Sequence, residues 1–213
     1  MERIIKLSVL FLALVLSASS MAEEVYDFDV DGIYYKILEN GNEVSVTYKT
    51  YRYSSHTDYY ESDYTGDIII PATVTFNGKT FQVTEIGDHA FYQHESVTSV
   101  TIPSSVTTIK WYAFSFCTGL ENVTCMAMMP PSTMSDPCIF ANEIYYNTPL
   151  HVPNGSERAY REHICWGRFQ TIIGDANGDN PGGDPGYLKC DVNGDGEVNI
   201  ADVNKVIDAI LGH

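Results

Sequence analysis

The chain has 213 residues, with 28 acidic and 12 basic side chains and a formal net charge of −16 at pH 7. This length is enough for one sizeable hydrophobic core and a small appendage. A surface this acidic repels nucleic acids and anionic membranes and favours solubility and cation binding, so the composition argues against nucleic-acid binding.

Residues 1–22 have the pattern of a secretory signal peptide: a basic start, an apolar run at residues 7–16, and a small-x-small cleavage site at residues 20–22. The apolar run is too short to span a bilayer, so no membrane span is predicted. A buried N-terminal helix is the alternative. We expect cleavage after Ala22 and a secreted chain that begins at Glu23. The leader holds two basic residues and one acidic residue, so its removal changes the net charge from −16 to −17.

Residues 23–82 predict a β-rich N-terminal cap. Residues 26–38 and 43–53 alternate apolar and polar side chains on either side of a Glu-Asn-Gly-Asn turn, which is a hairpin pattern. Residues 67–71 predict a strand, and residues 74–83 predict a second hairpin around Asn-Gly. We expect these strands to cover the open end of a solenoid, because terminal repeats need such caps.

Residues 83–128 contain one 23-residue unit written twice. Residues 83–105 and residues 106–128 agree at seven of 23 positions, and apolar residues meet apolar residues at most inward positions. A period in the twenties indicates stacked repeats. Neither unit can bury its apolar face alone, so stacking supplies the core.

Each unit is predicted to contribute one short strand, at residues 99–102 and residues 122–125. Each is also predicted to contribute a short turn of helix, around Phe91 and around its counterpart Phe114. A β-rich domain whose internal similarity arose by chance is the alternative.

The sequence Ile-Gly-Asp-His-Ala-Phe, followed by Val-Thr-Ser-Val-Thr-Ile-Pro-Ser-Ser-Val-Thr-Thr-Ile, resembles the BspA-like leucine-rich repeats of anaerobic bacteria. The resemblance covers the two repeats well and residues 27–173 more loosely. It implies a secreted or cell-surface protein that binds a host or bacterial surface protein or glycan through its repeats.

Residues 129–173 are predicted to cap the other end of the solenoid, and this segment looks like the closing segment of BspA-like domains. Residues 150–153 predict a last strand, and residues 157–165 predict a helix with Ser156 as its N-cap. The side chains expected to be buried there are Tyr160, Trp166 and Phe169.

The cysteines Cys117, Cys125, Cys138, Cys165 and Cys190 include no Cys-x-x-Cys pair, so they indicate neither a zinc site nor a full disulfide framework. Cys117 and Cys125 occupy repeat positions that predict small core residues. Cys138 and Cys165 could form a disulfide, because export permits one.

No catalytic residue is assigned. The histidines show no metal-ligand spacing and no nucleophile motif. Asp58, Glu61 and Asp63 could perform acid–base chemistry as paired carboxylates, but they lie in a Tyr-, Ser- and Asp-rich stretch, residues 53–66, that predicts a solvated loop. A glycoside hydrolase is therefore a disfavoured alternative.

Residues 174–190 are rich in Gly, Asp, Asn and Pro and predict a linker with a degenerate loop. The next twelve residues fit an EF-hand-like calcium loop, with oxygen ligands at positions 1, 3, 5, 7, 9 and 12 and a glycine at position 6. Its carboxylates would repel one another without the ion, so we expect calcium binding to be coupled to folding. A chance Asp/Asn/Gly linker is the alternative. The predicted ligands are Asp191, Asn193, Asp195, Glu197 through its carbonyl, Asn199 and Asp202.

Apolar residues recur at helical spacing over residues 202–211, directly behind the loop. Together the loop and helix, residues 191–213, resemble one repeat of a type I dockerin, the calcium-dependent module that docks onto cohesins. In that family, loop positions 10 and 11 read the partner, and here they are Ile200 and Ala201. The resemblance implies a cohesin-like partner.

The fold class predicted is β-rich α/β: a short leucine-rich-repeat solenoid with a β N-terminal cap, plus a small α calcium loop–helix module. The function predicted is non-enzymatic protein binding or adhesion outside the cell. The first alternative, which dockerins suggest, is an accessory component of an extracellular polysaccharide-degrading complex.

Overall fold

The structure is a computed structural model that describes residues 23–54, 57–133 and 139–176. The predicted signal peptide and the calcium module lie outside these ranges. Among the described residues, no helix is long and apolar enough to cross a membrane.

Short strands dominate the described residues, and the helices are few. The helices are α1 (Asn142–Asn147), α2 (Glu157–Glu162) and a 3-10 helix (Trp166–Arg168). The strands are β1 (Glu23–Glu24), β2 (Phe28–Val30), β3 (Ile33–Ile37), β4 (Glu43–Thr47), β5 (Thr50–Ser54), β6 (Thr57–Glu61), β7 (Gly66–Ile69), β8 (Thr73–Phe76), β9 (Lys79–Ile86), β10 (Val97–Ile102), β11 (Thr108–Ile109), β12 (Asn122–Cys125), β13 (Ser132–Thr133), β14 (Leu150–Val152) and β15 (Ile172–Gly174).

Two sheets contain the parallel strands of the repeats. One has the order β15-β14-β12-β10-β7 and is parallel throughout, and the other has the order β13-β11-β9-β4-β3-β2. Val100 pairs with Val123 in the first sheet, and Ile86 pairs with Ile109 in the second. Both offsets equal the period of the sequence repeat, so it is also a structural repeat, and each unit contributes one strand to each sheet.

The strands predicted at residues 99–102 and residues 122–125 are confirmed as β10 and β12, and the last predicted strand is confirmed as β14. The hairpin around Asn77 and Gly78 is confirmed as β8 and β9. Both turn residues have positive φ, 50° and 77°, as a two-residue hairpin turn of the I′ type requires.

The stretch at residues 53–66, which the sequence predicts as a loop, contains a strand. β6 pairs antiparallel with β5, and β5 pairs with β1, which makes a third, three-stranded sheet. Tyr51 lies opposite Tyr60, and Arg52 forms an ion pair with Glu61 at 2.9 Å. The prediction fails because these strands are stabilised by cross-strand polar and aromatic pairs, without an apolar periodicity. The single strand predicted at residues 43–53 is two strands in the structure, β4 and β5, and these belong to different sheets.

The short helical turns predicted around Phe91 and Phe114 are wrong, since both segments are hydrogen-bonded turns. His89 and Tyr112 have φ of 56° and 55°, left-handed values that a right-handed helix excludes. The amide of Phe91 donates to the carbonyl of Ala113 in the next unit at 2.8 Å. Contacts between units therefore replace the bonds within one helix.

A column of aromatic rings runs through the core, made of Tyr64, Phe91, Phe114 and Phe140. Phe91 and Phe114 stack with centroids 4.9 Å apart, and Phe114 and Phe140 stack at 5.0 Å. All four rings are buried. The repeated Phe thus has a packing role that links one unit to the next.

The C-terminal segment covers this column, as predicted, with Tyr160, Trp166 and Phe169 buried. The Tyr160 hydroxyl donates to the Ala127 carbonyl at 2.8 Å, and the Trp166 indole donates to the Pro131 carbonyl at 3.0 Å. These rings therefore bury apolar surface and also satisfy buried carbonyls.

The helix predicted at residues 157–165 is shorter than expected, because the chain becomes extended at His163 before the 3-10 helix. Ser156 lies at the predicted N-cap position but makes no capping bond. Its backbone is in the right-handed helical region, and its hydroxyl donates instead to the Pro153 carbonyl at 2.6 Å.

Candidate functional site

The calcium loop that the sequence predicts lies outside the described residues. Within the described ranges, no group of three or more His, Cys, Asp or Glu side chains is arranged to hold a metal ion. The predicted ligand and partner residues concerned are Asp191, Asn193, Asp195, Glu197, Asn199, Ile200, Ala201 and Asp202.

A line of partly exposed aromatic side chains lies on the surface turns of the repeats and continues onto the three-stranded sheet. We call it the aromatic strip. Its members are Tyr51, Tyr60, His89, Tyr92, Tyr112 and Phe116.

The repeat geometry positions three of the six strip residues, which are His89, Tyr112 and Phe116. His89 and Tyr112 occupy the same position in consecutive units, and so do Gln93 and Phe116. All four have left-handed φ, between 55° and 61°. The amides of His89 and Gln93 donate to carbonyls of the next turn, each at 2.9 Å. The main chain therefore fixes the shape of each turn.

Ring contacts connect the strip from the three-stranded sheet to the second repeat. The rings of Tyr60 and His89 are stacked, with centroids 4.0 Å apart and planes within 7°. His89 contacts Tyr112 at 5.2 Å, and Tyr92 meets the edge of Phe116 at 5.4 Å. These contacts hold large side chains in place at the surface.

The carboxylates of Asp58 and Asp88 act on the rings of the strip. Tyr51 donates to the carboxylate of Asp58 at 2.6 Å, and this hydrogen bond is the main cause that raises the pKa of Tyr51 to about 12. Burial, aided by Asp58, Tyr92 and Asp88, raises the pKa of Tyr60. The tyrosines of this part of the strip are therefore neutral phenols at pH 7.

Burial lowers the pKa of His89 below its ordinary value of 6.5, although the nearby carboxylates of Asp88 and Asp58 oppose the shift. His89 is therefore a neutral ring at pH 7. It contributes an aromatic surface to the strip and no positive charge.

Two open grooves border the strip. One, of about 490 Å³, is lined by Tyr60, Tyr92 and Glu95, among other residues. The other, of about 850 Å³, includes Asp88 in its lining, together with an ion pair between Lys110 and Glu85 at 3.0 Å. Both are shallow surface features that could accept side chains of a partner.

The paired carboxylates considered from the sequence have structural partners. Asp63 accepts hydrogen bonds from Lys49 at 2.7 Å and from the Tyr34 hydroxyl at 2.8 Å. These bonds lower its pKa, so Asp63 is an ordinary ionised carboxylate at pH 7.

The core roles predicted for Cys117 and Cys125 are confirmed, since both side chains are buried. Burial raises the pKa of Cys117 to about 12 and that of Cys125 to about 11. Both are therefore thiols at neutral pH and are poor nucleophiles. Cys138 lies outside the described residues, so its pairing with Cys165 remains a prediction.

Comparisons with known proteins agree with the repeat geometry. Residues 59–143 match the family model of a BspA type leucine-rich repeat region of six copies. The matched stretch includes both 23-residue repeats. No curated protein matches the sequence. The matching family model describes a repeat region and not a catalytic domain.

Several solved structures are similar to this chain. One is a leucine-rich repeat protein from Bacteroides capillosus, with 22% identity, coverage of 60% of this chain and 98% of that chain, and a TM-score of 0.41. A leucine-rich repeat protein from Bacteroides ovatus has 24% identity, coverage of 61% and 36%, and a TM-score of 0.41. A leucine-rich cell surface protein from Faecalibacterium prausnitzii has 20% identity, coverage of 73% and 43%, and a TM-score of 0.37. The chain thus spans less than half the length of the latter two.

Sequence reasoning does not predict the aromatic strip as a site. One signal is present in the sequence, because His89 and Tyr112 are both aromatic and occupy equivalent positions in the two repeats. The contribution of Tyr51 and Tyr60 depends on the pairing of β5 with β6, which the sequence does not predict.

Proposed function

We propose that this chain is a secreted, non-enzymatic protein that binds other proteins through its repeat region, with the aromatic strip as the contact surface. The observation that carries the proposal is the row of partly exposed rings held in contact across two repeat turns and β6. The BspA type of the repeats and the leader pattern at residues 1–22 support an extracellular role.

Aromatic side chains suit this task. Tyrosine supplies a large and rigid contact area with one polar end, and it is enriched among the residues that dominate binding energy. The main-chain bonds between turns pre-organise the strip, which lowers the entropy cost of binding. The grooves on both sides provide places for partner side chains.

The test is binding of the full chain to a panel of purified extracellular matrix proteins and to intact bacterial cells. Alanine at both Tyr92 and Tyr112 should weaken binding by about 2 kcal/mol or more, the range of hot-spot residues. Tyr146→Ala is the matched control, because Tyr146 is 60% exposed on α1 and is not a member of the strip. Equal losses in both variants would contradict the proposal, and so would a panel with no specific binder.

We also propose that the C-terminal segment binds one calcium ion and docks onto a cohesin-like partner. The support is the ligand spacing between Asp191 and Asp202, followed by an apolar helical pattern. A role as an accessory component of an extracellular polysaccharide-degrading complex would follow from such docking.

Calorimetric titration of the full chain with calcium tests this second proposal. One site should be observed, and Asp191→Ala should abolish it, whereas Asp29→Asn removes an exposed carboxylate elsewhere and should leave it intact. Substitution of Ile200 by Asp should reduce cohesin binding without removing calcium. Calcium binding that survives Asp191→Ala would show that the ligand assignment is wrong.

A further inference from the structure

We propose that the aromatic strip recognises a basic segment of its protein partner, whose Lys or Arg side chains pack against the strip rings beside Asp58 and Asp88. This inference rests on the proposed protein-binding function, because it names the chemistry of the surface that the strip would contact.

The first argument is the charge around the strip. The charged groups that act on Tyr60 and His89 are Asp58 and Asp88, both exposed carboxylates. Within the described ranges, neither of them forms an ion pair. Asp58 accepts from the Tyr51 hydroxyl, and Asp88 accepts from the Trp111 amide at 3.1 Å. Neither carboxylate therefore has a counter-charge among the described residues, and a partner cation could supply one.

The second argument comes from how the rest of the molecule uses its aromatic rings. Four rings outside the strip carry a Lys or Arg within 6 Å of the centroid, as expected for cation–π contacts. Arg168 lies 4.6 Å from the Tyr145 centroid, and Arg52 lies 4.9 Å from that of Tyr59. In the described part of the chain, no strip ring has such a cation. The strip thus combines neutral rings and carboxylates with no positive side chain of its own.

The third argument is the long-range field. The chain has a formal net charge of −16, which attracts a cationic partner and raises the rate of encounter. An anionic surface would be repelled by the same field. A neutral glycan could stack on the tyrosines, but it would leave the charges of Asp58 and Asp88 without a counter-charge.

The test uses the full chain and two synthetic peptides of identical length, one with four arginines separated by glycines and one with citrulline at each arginine. Citrulline keeps the size and much of the hydrogen bonding of arginine but has no charge. We expect the arginine peptide to bind about tenfold more tightly, the effect of one or two exposed cation–π contacts.

Two double variants that have the same net charge as each other show where the arginine peptide binds. Asp58→Asn with Asp88→Asn should weaken the arginine peptide about tenfold, since close charge pairs contribute on this scale. The control pair is Asp29→Asn with Glu121→Gln, two exposed carboxylates outside the strip. Asparagine can still accept the bonds from Tyr51 and Trp111, so the folded state is retained. Tyr112→Leu provides a second probe that removes a ring and no charge, and it should also weaken the peptide.

Equal binding of the two peptides would overturn the proposal, and so would equal losses in the two charge pairs, which would indicate net charge alone. Binding of a neutral oligosaccharide that Tyr112→Leu abolishes, without binding of the arginine peptide, would also overturn it. Failure of this inference is distinguishable from failure of the proposed protein-binding function. A protein partner that depends on Tyr92 and Tyr112 but not on Asp58 and Asp88 would retain the proposed function and remove this inference.

Discussion

Phe114 shows how much one repeated residue contributes to the stability of the fold. Its ring is fully buried and stacks on Phe91 on one side and on Phe140 on the other. Phe114→Ala should lower the free energy of unfolding by about 3–5 kcal/mol, the cost of an aromatic cavity in a core. Urea unfolding followed by circular dichroism measures the change.

Phe116, two residues later, is the matched control because its ring is 52% exposed. Phe116→Ala should change the free energy of unfolding by less than about 1 kcal/mol, as expected for a surface position. Similar losses at Phe114 and Phe116 would contradict the assignment of the stacked column as the core.

His89 gives the stability a pH dependence of known sign. Burial lowers its folded pKa below the ordinary value of 6.5, so below that pH the unfolded chain binds a proton that the folded chain excludes. Stability should therefore fall as the pH decreases from 7 towards 5. His89→Phe keeps a ring against Tyr60 and removes this titration, so its stability should fall less steeply.

Part of the decrease should remain in that variant, because burial also lowers the pKa of His163. Asp63 does not contribute to the fall in stability between pH 7 and pH 5. Its lowered pKa gives stability that is lost only as the pH falls below about 4, near the ordinary Asp value. Thermal unfolding at pH 7, 6 and 5 makes the comparison, and identical slopes in the two proteins would disprove a role for His89.

The turns of the repeats pack backbone against backbone, which restricts side chains at one position. A Cβ atom on Gly119 would lie 2.0 Å from the carbonyl oxygen of Glu95 in the preceding turn. Gly119→Ala should therefore force the turns apart and cost about 3 kcal/mol, the upper range of overpacking. Thr118→Ala, at the exposed neighbouring position, should cost less than about 0.5 kcal/mol. Urea denaturation of both variants measures the two changes in stability, and equal stability would contradict the close approach of Gly119 to the Glu95 carbonyl.

Elements with their own apolar pattern are predicted correctly. β10 and β12 both end on two buried residues separated by a half-buried one, and this pattern recurs at the repeat period, so their sequence alone defines them. β11 and β13 are too short for any periodicity. β6 is polar and depends on pairing with β5.

The errors around Phe91 and Phe114 have a similar physical origin. A buried Ala-Phe pair is compatible with a turn of helix, and nothing local indicates the left-handed φ of His89 or Tyr112. At His89, that conformation is stabilised by a main-chain bond to the following unit. The aromatic strip was missed for the same reason, since Tyr60 stacks on His89 although the two are far apart in the sequence.

The whole molecule should behave as a stack of nearly independent layers. Deletion of residues 106–128 removes one unit and would bring Phe91 opposite Phe140, as Phe114 is now. Because each repeat contacts only its neighbours, the shortened chain should still fold. We expect circular dichroism to show a strand-rich protein with a lower midpoint and a smaller urea m-value, which scales with the surface exposed on unfolding. An unfolded deletion variant would contradict this one-dimensional description.

At the left-handed positions, main-chain hydrogen bonds join one turn to the next, from His89 to Trp111 and from Gln93 to Ser115. The side chains at the left-handed positions take no part in these bonds. A library that varies residues 89, 93, 112 and 116 should therefore preserve the solenoid while changing the outer surface. The repeats would then serve as a display scaffold, on which new binding specificities could be selected, and insertion of one more unit would lengthen the selectable surface by two positions.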